Sequence, residues 1–77
     1  MHFQRSETME ENKEILKEVY EALREKGYNP VGQIAGYILS EDPTYITNVK
    51  NARSLIMKLD RDTVLYEMVK CYLELDN

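Results

Sequence analysis

The stretch "EKGYNPVGQIAGYILSEDP", residues 25–43, decides the fold. It holds all three glycines and both prolines of a 77-residue chain, yet between them apolar residues return at helical intervals. Gly27 stands where a preceding helix would end in the left-handed conformation. Asn29 can cap a new helix whose first residue is Pro30, because the first turn does not use the N–H that proline lacks. Val31, Ile34, Ala35, Ile38 and Leu39 then form one stripe, so residues 29–40 read as a short helix. Gly32 and Gly36 each cost that helix about 1 kcal/mol relative to alanine. Four apart, they would bare backbone for another helix to approach. Asp42 and Pro43 repeat the cap-then-proline pattern, which predicts a turn or a single helical turn.

Working outward, "TMEENKEILKEVYEALREKG", residues 8–27, places Ile15, Leu16, Val19, Tyr20 and Leu23 on one face and Glu and Lys on the other. Its acidic start and basic end suit the helix dipole. In "NVKNARSLIMKL", residues 48–59, Val49, Ala52, Leu55, Ile56 and Leu59 keep helical spacing. Asp60 or Asp62 can then cap a last helix. Val64, Leu65, Met68, Val69, Tyr72 and Leu73 give it the cleanest apolar stripe of the chain, and the expectation is a main core element. No segment alternates with a period of two long enough for a strand. The reading is all-α: four main helices and one short helical turn. Residues 1–8, without a sustained period, are expected to be a flexible N-terminal tail, and residues 9–77 a single helical domain.

Composition narrows the function classes. In so short a chain, apolar burial comes out close to the entropy cost of ordering, so a further stabilising device is expected. One cysteine, Cys71, allows no internal disulfide, and one histidine, His2, leaves a zinc site short of ligands. Self-association remains, and 43% hydrophobic residues suit a buried dimer surface. A net charge of −4 argues against a nucleic-acid partner, which normally meets a basic face. No apolar run reaches membrane-spanning length and the start is not that of a signal peptide, so a cytoplasmic protein is expected.

Candidate chemistry is sparse. His2 lies in the tail and Cys71 beside the stripe of the last helix, which separates nucleophile from base and predicts no enzyme. Cys71 reads as a small buried or boundary residue. "DRD" at 60–62 and "EDP" at 41–43 lack the further ligands of a calcium loop. Six tyrosines suit helix ends and a dimer seam, with Tyr20 and Tyr72 on core stripes. An alternative function is a small helical nucleic-acid-binding module, in which Lys50, Arg53 and Lys58 would meet phosphates. In the tail, "TMEE" at 8–11 matches a capping box. A hydroxyl there, where tail meets helix, is also an accessible kinase acceptor.

"YEALREKGYNPVGQIAGYILSEDPTYI" at 20–46, "ARSLIMKLDRD" at 52–62 and "VKCYL" at 69–73 resemble the IreB family of small bacterial regulatory phosphoproteins. "ETM" at 7–9 is similar to that family's N-terminal element. The resemblance implies a closely packed or intertwined helical homodimer with no catalytic activity and no cofactor. It implies a substrate of a transmembrane Ser/Thr kinase, with the opposing phosphatase and a downstream protein as further partners. Its family role would be negative regulation of cephalosporin resistance or cell-envelope stress signalling. Thr8 matches one threonine phosphorylated in the family; Arg5 stands where another falls, with Ser6 beside it as a second acceptor. Where the family reads "GDPAYIPR", this chain reads "EDPTYITN" at 41–48.

Overall fold

A computed structural model describes the backbone of residues 7–75 and the side chains of residues 9–75. Four helices, α1 (Glu7–Glu25), α2 (Pro30–Ser40), α3 (Ala52–Ile56) and α4 (Arg61–Tyr72), follow in order, with a 3-10 turn at Pro43–Tyr45 between α2 and α3. There is no strand among the described residues.

Local chemistry sets most boundaries. At the end of α1 the Gly27 N–H donates to the Arg24 carbonyl and the Tyr28 N–H to the Leu23 carbonyl, both at 3.0 Å. That double closure needs a left-handed residue, and Gly27 supplies it at φ +82°. Asn29 Oδ1 accepts the Gly32 N–H at 3.1 Å, with Pro30 at the head of α2. Asp42 caps the 3-10 turn by accepting from the Thr44 N–H and hydroxyl at 3.0 and 2.7 Å. Asp60, not Asp62, caps α4: it accepts the Thr63 N–H at 3.4 Å and the Thr63 hydroxyl at 3.0 Å.

The glycine pair of α2 behaves differently from expectation. No helix packs on it. A Cβ on Gly36 would lie 2.5 Å from the Tyr45 ring, and one on Gly32 would lie 2.6 Å from the Asn29 side chain. Gly36 thus lets the 3-10 turn fold flat against α2, while Gly32 leaves room for the cap. Glu41 follows α2 in the left-handed region at φ 62°, the position where the resembled family carries glycine. The strain is offset locally: the Glu41 N–H donates to the Tyr37 carbonyl at 2.7 Å, and its carboxylate meets Arg61 Nη1 at 2.6 Å.

The core is built on α1. Val19 and Leu23 are fully enclosed by Ile46, Ala52 and Ile56, with Tyr37, Ile38, Leu59 and Val64 completing the cluster. Polar ties hold the non-helical parts. Gln33 reads Thr47 twice, accepting its N–H at 2.8 Å and donating to its hydroxyl at 3.1 Å. Arg53 Nε donates to the Ile46 carbonyl at 3.0 Å, and Arg61 Nε to the Ile38 carbonyl at 3.2 Å.

Three expectations need correction. The third helix is five residues long, because Lys50 and Asn51 take positive φ (50° and 62°) and delay it to Ala52. In α4 only Thr63 and Val64 are buried; Leu65, Met68, Val69, Tyr72 and Leu73 are exposed on the chain taken alone, so this helix is no main core element here. Tyr72 is 89% exposed, whereas Tyr37, which no stripe singled out, is buried. A continuous apolar stripe fixes which face of a helix seeks cover but not what covers it.

Candidate functional site

Of the sequence-derived acceptors, Thr8 falls in the first turn of α1, whose helical backbone begins at Glu7; Ser6 lies outside the described residues, as does His2. Helix α1 therefore opens one residue ahead of the expected cap. The other three threonines all use their side chains. Thr44 donates to Asp42, Thr47 accepts from Gln33, and Thr63 is buried and donates to Asp60.

Two of the three basic residues of the nucleic-acid reading, Lys50 and Arg53, are engaged within the fold. Lys50 Nζ donates to the Glu25 carboxylate, holding that acid below its ordinary range by hydrogen bonding and then by charge. Arg53 is tied to Ile46, and α3 is too short to lie along a groove. Among the described residues no cluster of three or more potential ligands suits a metal ion, and no helix is long and apolar enough to cross a membrane.

What the fold does present is apolar and concave. Helices α1 and α2 diverge over a cleft of about 770 Å³, walled by Leu16 and Tyr20 from α1, Val31, Ile34 and Leu39 from α2, and Met68 from α4. Leu39 is 86% exposed and Val31 68%. Lys17 and Glu21 stand at its rim. An apolar surface of this extent rimmed by charge is the physical mark of an interaction site.

A second, smaller cleft of about 170 Å³ opens between α1 and α4, beside Met9, Asn12, Leu16, Val64, Met68 and Cys71. Cys71 is exposed here rather than buried or marginal, because α4 turns that side away from the core. Asn12 is the unexpected member: it lies among the charges of α1 in the sequence, yet is only 5% exposed. Its Oδ1 accepts the Asp60 N–H at 3.0 Å, tying the start of α4 to α1, while its Nδ2 is buried with no partner. Its sequence neighbours gave no sign of this, since the partner lies 48 residues away.

Residues 1–74 match the profile of a family described as IreB regulatory phosphoprotein. The chain is 60% identical over 72 residues to a UPF0297 protein of Ruminiclostridium cellulolyticum, covering 94% of this chain and 82% of the relative. It is likewise 60% identical over 68 residues to a UPF0297 protein of Acetivibrio thermocellus, covering 88% and 76%.

Proposed function

Since the chain belongs to the IreB family of regulatory phosphoproteins, we propose that it is a non-enzymatic cytoplasmic regulator, acts as a homodimer, and carries its regulatory phosphate on Thr8, with Ser6 as a neighbouring acceptor. A transmembrane Ser/Thr kinase supplies the phosphate and a phosphatase removes it. The output is restraint of cell-envelope stress or cephalosporin-resistance signalling through a downstream protein. The observation that carries this reading is the family match, which runs from residue 1 and so takes in the segment around Ser6 and Thr8. The structure supports it by elimination among threonines: Thr44, Thr47 and Thr63 are engaged in hydrogen bonds of the folded body.

Phosphate on Thr8 would meet the positive end of α1, worth about 0.3–1 kcal/mol, and repulsion from Glu7, Glu10 and Glu11. These effects oppose each other, so the modification acts by changing what binds the N-terminal segment rather than by refolding the body. The large α1/α2 cleft is the seam proposed for the dimer. The test is phosphorylation of the whole chain by a purified envelope-sensing Ser/Thr kinase, mapped by mass spectrometry for the wild type and Thr8→Ala. Loss of most incorporation in Thr8→Ala with an unchanged melting curve is expected. Phosphate found chiefly on the folded body, or an unfolded Thr8→Ala, overturns the assignment.

A further inference from the structure

We propose that the small cleft between α1 and α4 binds a neutral organic molecule the size of a single six-membered ring, bearing one carbonyl oxygen that accepts from Asn12 Nδ2. The first observation is the orphaned amide. Asn12 is only 5% exposed and lines the cleft. The Asp60 N–H, at 3.0 Å, fixes which way round that amide lies, because it needs Oδ1 as its acceptor. Nδ2 is then a buried donor with no acceptor among the described residues. Such donors in native proteins nearly always have a partner, and leaving one unpaired costs free energy. Thr63, in the same wall, has its hydroxyl committed to Asp60. What the cleft calls for is therefore one oxygen acceptor on an otherwise apolar body.

Size and charge narrow the occupant. Leu16, Val64 and Met68 give an apolar lining to a space of about 170 Å³. A dry apolar cavity of about 150 Å³ admits one benzene ring. A partner helix, about 10 Å across, is too wide for it. Lys13 and Glu67 both line the cleft and offset one another, so no net charge is present to compensate an anion for its lost hydration. The oxygen therefore belongs to a neutral group. Position gives binding a consequence: the cleft lies beside the Asn12–Asp60 hydrogen bond that ties α1 to the start of α4, so an occupant fastens that junction.

The site lies within one chain and rests neither on the phosphate nor on the dimer of the proposed function. The probes are acetophenone, which has ring and carbonyl, toluene, which lacks the oxygen, and benzoate, which is charged. Titrated into the dilute, isotope-labelled full chain, acetophenone should move the Asn12 side-chain amide resonances saturably, with half-saturation at about 1 mM. Toluene should bind at least about tenfold more weakly, because it leaves the buried donor unpaired. Benzoate should also bind more weakly than acetophenone. Cys71, the single thiol of the chain and a wall of the cleft, should be alkylated by iodoacetamide several-fold more slowly with acetophenone bound. Asn12→Asp keeps an oxygen for the Asp60 N–H but removes the donor, and should abolish the preference for acetophenone over toluene. Should that variant unfold, the wild-type comparison decides alone. No saturable shift at Asn12 up to about 10 mM acetophenone overturns the proposal. Toluene binding equally well shows only an apolar slot, tighter benzoate shows an anion site, and either overturns it. An Asn12 resonance that moves with protein concentration in the absence of probe assigns the cleft to a second copy and overturns it also.

Discussion

Leu39→Glu separates the two environments proposed for the α1/α2 cleft. In the chain taken alone Leu39 is 86% exposed, so a carboxylate there should change single-chain stability by no more than about 0.5 kcal/mol. In a symmetric dimer the same patch meets itself, and each substitution counts twice. Burying one leucine side chain contributes about 1.5–3 kcal/mol, so two contribute about 3–6 kcal/mol. At about 1.4 kcal/mol per decade, the dissociation constant should rise by at least about a hundredfold, before adding the cost of dehydrating two carboxylates. Sedimentation equilibrium from about micromolar to millimolar concentration reads this directly. A wild type that stays monomeric at the upper limit, or a Leu39→Glu constant within about threefold of wild type, refutes the reasoning. A helix content lost at low concentration would show instead that Leu39 supports the single chain.

Three further outcomes follow from named contacts. Asn12→Ala removes the acceptor of the Asp60 N–H and should lower stability by about 1–3 kcal/mol in urea titrations, more than any exposed position of α1. Gly27→Val forces a β-branched residue to φ +82° and should cost about 1–2 kcal/mol, whereas Gly27→Asn should cost less, as thermal melts will distinguish. The Asp42 carboxyl is held below its ordinary 3.8 by the Thr44 hydroxyl and then its N–H. A depressed folded value means that this cap is fully effective above 3.8 and is lost as the pH falls through the folded value. Carboxyl titration by NMR should show that downward displacement, and Thr44→Val should reduce it.

The parts of the fold legible in the sequence were those whose determinants are local. Asn29 with Pro30, Asp42 with Pro43, Gly27 and Asp60 each act within four residues, and each closes the element its position announces. What stayed illegible depends on distant partners. Ile46 is wholly enclosed but sits alone after a turn, where no period can mark it. Asn12 looks like one more polar residue of a charged helix until Asp60 is brought to it. The delayed start of α3 lies in two left-handed residues, Lys50 and Asn51, whose types do not demand that conformation. For the site, the proposal of Thr8 rests on its capping pattern and on the family match. The two clefts were not legible, because a stripe of leucines reads the same whether its cover comes from within the chain or from outside.

Among the described residues, the buried side chains and long-range polar ties of helix α4 gather at its start. Asp60, Thr63 and Val64 fasten its first turn, Arg61 clamps it to the end of α2, and beyond them mostly exposed side chains run out to Tyr72. Twelve residues of helix are marginal without packing along their length. Its distal half therefore behaves as a cantilever: amide protection should decay from Thr63 toward Tyr72 in dilute solution and become uniform once another surface lies along it. The outer turns of α4 thus act as a built-in gauge of assembly, read from the chain itself without any probe attached.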